Sequence, residues 1–136
     1  QVHIMFSLKE LTKLQIRHPN AKVIAHPECE EKILDCADFI GSTTALIKYT
    51  QSIKFNTFIV VTEPGVIHQM QKLNPNKTSI PLPNNEGCAC NECPYMRLNT
   101  IDKMINALDT LGPEIILSDQ LINQAKKPLI RMLELS

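Results

Sequence analysis

The chain has 136 residues, of which 43% are hydrophobic and 21% are charged, and its formal net charge is zero. This length suits one domain with a hydrophobic core, or one such domain with a tail, and the balanced charge argues against nucleic acid or an anionic membrane surface as the main partner. No apolar run approaches the roughly 20 residues of a membrane-spanning helix, and no secretory signal pattern is seen, so we expect a cytoplasmic protein without a membrane partner.

Strands and helices alternate from the start of the chain. Ser7 and Glu10 have the spacing of a capping box at the beginning of a helix. A short apolar run then predicts a buried strand over residues 21–26. A helix beginning at Pro27 should follow, and then a brief strand that ends at Gly41.

The alternation continues up to residue 82. Ser42 is the expected N-cap of the next helix, residues 56–62 form the clearest strand, and a helix ending at Asn74 precedes a last strand. This pattern predicts an α/β fold with a small parallel sheet of about four strands flanked by helices. In such sheets ligands bind at the carboxyl ends of the strands.

The pattern changes after this sheet. A loop leads to a helix that Asn99 should cap and Gly112 should close, and Pro128 should kink or split the final helix. The sequence thus divides into an α/β domain at 1–83, a cysteine-bearing loop at 84–98 and C-terminal helices at 99–136. Since the chain opens in mid-pattern with Gln rather than Met, we expect a fragment of a longer chain.

Three of the five cysteines lie close together in the loop, at Cys88, Cys90 and Cys93. The odd total, without a secretory signal, favours cytosolic thiols or metal ligands over a disulfide framework. Cys90 and Cys93 have C-x-x-C spacing, which suits a shared metal or an iron–sulfur cluster. A redox dithiol and unreactive cysteines remain alternatives.

Polar side chains follow two of the predicted strands. His26 and Glu28 could form an acid–base pair, although the same residues could simply begin a helix. Ser42 and Thr43 follow the next strand, where hydroxyl and backbone N–H groups could hold a phosphate or carboxylate. Ordinary N-capping is the structural alternative for this pair.

A third strand end carries Thr62 and Glu63, with His68 one turn into the next helix. His68 could face the site, but a solvent-exposed helix position is the favoured interpretation. His3 lies just before the first helix, where it could also be a surface residue.

The order of these motifs is more specific than any one of them. The segments VH, HPEC, GSTTA, TEPGVIH and CxxCPYM follow one another across the whole chain, and this order resembles the quinolinate synthase family. The resemblance implies three similar α/β domains around a 4Fe–4S cluster, with one cysteine from each domain and one iron open to substrate. It further implies a transferase of NAD biosynthesis that condenses iminoaspartate with dihydroxyacetone phosphate, with a functional link to L-aspartate oxidase.

The resemblance also implies roles for individual residues. Cys93 would be a cluster ligand, with two further ligands upstream of this chain, and Cys90 would be its neighbour in the loop. His26 and Glu28 would act as acid–base and orienting groups. The implied substrate-binding residues are His3, Ser42 and Thr43, while Thr62, Glu63 and His68 match a family motif without an assigned role.

By the same resemblance, this chain would be the third domain and the C-terminal helices, inactive when alone. A non-catalytic iron–sulfur or zinc-binding module is the rival hypothesis. It would explain the cysteines but not the polar clusters at three strand ends.

Overall fold

The structure is a computed structural model that describes residues 2–85 and 91–136. The chain folds as two compact units, Gln1–Leu98 and Asn99–Ser136. The loop cysteines Cys88 and Cys90, on which part of the predicted metal site depends, lie outside the described residues.

A four-stranded parallel sheet forms the centre of the first unit. Its strands are β1 (Lys22–Ala25), β2 (Phe39–Ile40), β3 (Thr57–Val61) and β4 (Thr78–Pro81). They lie in the order β2-β1-β3-β4, and all neighbouring strands are parallel. The predicted α/β fold with a small parallel sheet is therefore confirmed, and β1 and β3 are its central strands.

The helices of this unit connect the strands. They are α1 (Leu8–Arg17), α2 (Glu31–Leu34), α3 (Thr43–Ser52) and α4 (Pro64–Leu73), with short 3-10 turns at Val2–Ile4 and Met96–Leu98. Parallel strands need such crossover connections, because the chain must return to the same edge of the sheet before each new strand.

Both faces of the sheet are covered, because successive side chains of a strand point to opposite faces. One face packs against α1 and α2 through the buried side chains Leu11, Leu14, Val23, Ala25, Ile33, Ile59 and Val61. The other face packs against α3 and α4 through Ile24, Leu46, Phe58, Val60, Ile67 and Met70. The two central strands are thus buried on both sides, and this packing fixes the positions of their carboxyl ends.

The predicted helix caps are confirmed where the signal is local. The Ser7 hydroxyl accepts a hydrogen bond from the Glu10 N–H, and the Ser42 hydroxyl accepts one from the Ala45 N–H at 3.3 Å. Asn74 is the C-cap of α4, as predicted. Each cap satisfies a backbone group that the helix end would otherwise leave unpaired.

The predicted helix start at Pro27 is wrong. The chain makes a turn first, in which the Cys29 N–H donates to the His26 carbonyl at 3.0 Å, and α2 begins only at Glu31. The turn keeps Glu28 out of the helix and leaves its side chain exposed at the edge of the sheet.

The second unit contains α5 (Ile101–Thr110) and α6 (Asp119–Leu135). Thr100, not Asn99, caps α5 through its hydroxyl. The helix also ends before Gly112, because Leu111 takes the left-handed conformation at φ 52°.

The final helix, α6, is continuous through Pro128, so the predicted split does not occur. Every residue around Pro128 is exposed, and water can therefore hydrate the carbonyl that a proline leaves unpaired. Among the described helices, none combines the length and the apolar character needed to cross a bilayer.

Candidate functional site

The N-terminal segment is tied to the carboxyl edge of the sheet. Phe6 forms an antiparallel bridge with Asn84, and the Ser7 N–H donates to the Pro83 carbonyl at 3.3 Å. These contacts follow directly on β4 and hold the turn that contains His3. A histidine that precedes the first helix therefore reaches the edge at which the strands end.

His3 is the centre of a polar network at that edge. Its Nδ1 lies 3.1 Å from Oε2 of Glu28, and its Nε2 lies 3.3 Å from Oγ1 of Thr62. Its ring stacks on the ring of His26, with centroids 4.2 Å apart and planes inclined by 10°. The structure thus brings together His26, which follows β1, Thr62, which follows β3, and Glu28 from the turn after β1.

The carboxylate of Glu28 is paired with His3 rather than with His26. His26 contacts Glu28 through the backbone instead, because the Glu28 N–H donates to Nδ1 of His26 at 3.3 Å. With Nδ1 as the acceptor, a neutral His26 carries its proton on Nε2. The histidine–carboxylate pair of this site therefore joins residues 25 positions apart in the sequence.

The charge state of His3 follows from its surroundings. Burial lowers the pKa of His3 from its usual value of 6.5, and the adjacent His26 lowers this pKa further. Glu28 raises the pKa of His3, but the pKa remains below its usual value. His3 is consequently a neutral imidazole at neutral pH, able to donate from one nitrogen and accept at the other.

A cavity of about 570 Å³ opens beside this network. Its polar lining comes from His3, Glu28, Glu63, Glu92 and Cys93. Its apolar lining comes from Val2, Met5, Pro94, Tyr95 and Met96. Cys93 is a half-buried free thiol, so the predicted metal ligand shares one cavity with the His3–Glu28 pair.

The remaining candidates lie around this cavity in different ways. Glu63 lines it and caps α4, since its carboxylate accepts from the Gly65 N–H at 2.7 Å. Ser42 and Thr43 are exposed at the start of α3, outside the lining of the cavity. His68 is exposed on α4, as the favoured interpretation of its position predicted.

Several lining residues were not singled out from the sequence. Tyr95 and Met96 lie within the quoted CPYM motif. Their closeness in sequence to Cys93 could have identified them as lining residues. Val2 lies within the quoted VH segment, whereas Met5 carries no such signal and is held near the cavity by the bridge between Phe6 and Asn84.

His3, His26 and Glu28 also have the composition of a metal site. Ligand atoms from the three residues lie within 4.8 Å of one another. However, the two imidazole rings are nearly parallel, so the lone pairs in their planes do not converge on one point. A single ion could be bound here only after one ring had turned, and the observed arrangement suits proton transfer better.

The chain matches the family described as "Quinolinate synthetase A protein" over residues 1–134. Among curated relatives, the quinolinate synthase of Synechocystis sp. is 55% identical over 135 residues, which cover 99% of this chain and 42% of the relative. The quinolinate synthases of Cyanophora paradoxa and Trichormus variabilis are each 53% identical over 99% of this chain, covering 41% and 42% of their own lengths. The chain thus spans about two fifths of the length of these relatives.

Proposed function

The chain belongs to the quinolinate synthase family, and from this premise we propose that it is the C-terminal part of an enzyme that makes quinolinate for NAD biosynthesis. In the proposed reaction, iminoaspartate and dihydroxyacetone phosphate condense, and one phosphate and two waters leave. The proposed location is the cytoplasm, where L-aspartate oxidase would supply iminoaspartate.

One observation carries this proposal. The His3–Glu28 pair and the Cys93 thiol line the same cavity, so the proposed proton-transfer groups and the proposed metal ligand would face the same substrate. Condensation and dehydration are accelerated by proton transfer and by Lewis-acid assistance, and this cavity could supply both. A module that only bound a metal would have no use for this partly buried histidine network.

The residues around Cys93 fit one corner of a 4Fe–4S cluster. Cys93 is a free thiol, and Asn91, two residues before it, is only 3% exposed. Within the described ranges, neither polar atom of the Asn91 side chain has a hydrogen-bond partner, so a polar group from elsewhere is expected beside it. Cys93 would hold one iron, and two cysteines outside this chain would hold two others. When bound, a cluster with an open iron supplies a Lewis acid for a substrate hydroxyl or carboxylate.

Glu28 is the residue that we propose to transfer protons to and from the substrate. Its side chain is 73% exposed, so its free carboxylate oxygen can reach a substrate in the cavity. Neutral His3 holds the other oxygen and limits the rotation of the carboxylate. The ring of His26 stacks on the ring of His3 and restricts its movement. Glu28 would thus remove and return protons from a fixed position.

Ser42 and Thr43 are the proposed anion-binding residues. They follow β2 at the same edge of the sheet, and their exposed hydroxyls lie at the start of the ten-residue helix α3. Free backbone N–H groups and the helix dipole favour a negative group at such a position. The phosphate of dihydroxyacetone phosphate or a carboxylate of iminoaspartate is the proposed occupant.

The proposal is tested with the whole protein, purified without oxygen. It should form quinolinate from the two substrates, and Cys93→Ser should lose the iron and sulfide of the cluster together with activity. Cys36→Ser is the matched control, because Cys36 is also a partly buried free thiol but lies outside the cavity. Metal binding without quinolinate formation by the wild type would instead support the non-catalytic module.

A further inference from the structure

We propose that Thr62 is a positioning residue that holds His3 in the tautomer whose Nδ1–H points at Glu28. Nothing in the family motif assigns this role. The inference rests on the proposed function, because it concerns the orientation of the proposed proton-transfer pair. It rests on the position of Thr62 and on the chemistry of the three side chains that contact His3.

Thr62 cannot act on a substrate directly. It follows β3 immediately, is only 3% exposed and does not belong to the lining of the cavity. Its hydroxyl nevertheless lies 3.3 Å from Nε2 of His3, on the side of the ring away from Glu28. Any influence of Thr62 on the reaction must therefore pass through His3.

The neighbours of His3 determine where its proton lies. A carboxylate only accepts hydrogen bonds, so Nδ1 must carry the proton that spans the 3.1 Å to Glu28. A neutral imidazole then has a lone pair at Nε2, and this lone pair needs a donor. The Thr62 hydroxyl is in place to be that donor. Burial lowers the pKa of His3 and so favours its neutral form. Only the neutral form has two tautomers, so the position of its proton matters.

The opposite tautomer would not support Glu28. It would turn the lone pair of Nδ1 toward the carboxylate, and the two acceptors would repel each other. The ring itself should stay in place without Thr62, because it also stacks on His26. Loss of the hydroxyl should therefore disturb the proton position and not the shape of the cavity, so the effect should fall on kcat.

The test uses steady-state kinetics of the whole, cluster-loaded protein. Thr62→Val removes the hydroxyl at nearly constant volume and should lower kcat about tenfold, the effect expected of one hydrogen bond. KM for both substrates should change by less than about twofold, because binding does not use Thr62. Thr62→Ser keeps a hydroxyl and should restore most of kcat.

Thr50→Val is the matched control for the loss of a buried threonine hydroxyl. Thr50 is 1% exposed, and its hydroxyl donates to the Ile47 carbonyl in α3, away from the site. It should leave kcat unchanged even if it lowers the melting temperature. An equal loss of kcat in both variants would show that Thr62 acts only through stability.

A double-mutant comparison tests whether Thr62 acts through His3. In a His3→Gln background, Thr62→Val should cause no further loss of kcat, since the residue that it positions is gone. A second loss of about tenfold in that background would overturn the proposal. If Thr62→Val does not fold, Thr62→Ala removes the same hydroxyl and takes its place in every comparison.

The outcomes also separate this inference from the proposed function. If the wild type makes no quinolinate, the proposed function is wrong. If the wild type is active and Thr62→Val keeps its full kcat, the function stands and the role of Thr62 is wrong.

Discussion

At the scale of the residue, burial distinguishes Cys29 from Cys93, two of the cysteines that the structure describes. Cys29 belongs to the HPEC segment, yet it is 6% exposed and its thiol donates to the Val61 carbonyl. Burial raises the pKa of Cys29 to about 11. Cys93 is half-buried and lines the cavity. Of these two described cysteines, Cys29 is therefore a structural thiol, and Cys93 is the one whose thiol reaches the cavity.

This difference predicts a low reactivity of Cys29. With its pKa at about 11, roughly one Cys29 thiol in a thousand is ionised at pH 8, and only the thiolate reacts with iodoacetamide. Alkylation of Cys29 in the native protein should be about a hundredfold slower than in urea-unfolded protein. Mass spectrometry of the HPEC peptide measures both rates. Similar rates in the two states would contradict the assignment of Cys29 as a buried thiol.

At the scale of the element, the start of α3 has a structural and a proposed functional role. The Ser42 hydroxyl caps the helix by accepting from the Ala45 N–H. Ser118 does the same for α6, accepting from the Leu121 N–H, also at 3.3 Å and also exposed. The two serines are thus equivalent as helix caps, and Ser42 in addition follows β2 at the carboxyl edge of the sheet.

The comparison of Ser42→Ala with Ser118→Ala separates the two roles. Each variant should lose about 1 kcal/mol of local helix stability, the usual effect of removing an N-cap. Only Ser42→Ala should also raise KM for a substrate, by about tenfold, because one hydrogen bond to an anionic group is lost. Denaturant unfolding and steady-state kinetics measure the two effects. An unchanged KM would make Ser42 a cap and nothing more.

The elements that the sequence predicts well are those specified by short-range signals. Ser7, Ser42 and the apolar strands were predictable because caps and buried runs act within a few residues. The start of α2 was not predictable in this way. The Cys29 N–H donates to the His26 carbonyl in a turn, and this turn precedes the helix. The His3–Glu28 contact was not predictable from spacing either, because it depends on the bridge between Phe6 and Asn84.

At the scale of the whole molecule, the candidate site is an open cavity at the carboxyl edge of the sheet. The first unit has a core on both faces of its sheet and should fold by itself. In the second unit, all of which the structure describes, no side chain of α5 or α6 is fully buried. Apolar residues exposed along helices usually mark surfaces that other parts of a protein cover. This fits a chain that spans about two fifths of its relatives' length.

The isolated 136-residue chain should therefore fold in part but lack activity. Cys93 would be the single proposed cluster ligand within it, and a cluster held by one protein thiolate should be lost readily. Anaerobic reconstitution with iron and sulfide, followed by absorbance and a quinolinate assay, measures both properties, with the whole protein as the control. A stable cluster with activity in the isolated chain would contradict the proposed division of the site.

The central claim is that the His3–Glu28 pair beside Cys93 is the place where quinolinate forms, and Glu28→Gln in the whole protein tests it most directly. Glutamine preserves size and hydrogen bonding but cannot transfer protons, so the rate should fall by about 10² or more while iron content stays unchanged. Glu30→Gln is the control, because Glu30 is exposed in the same connection and its side chain does not cap α2. A Glu28→Gln rate within about twofold of the wild type, well short of that loss, would contradict the claim.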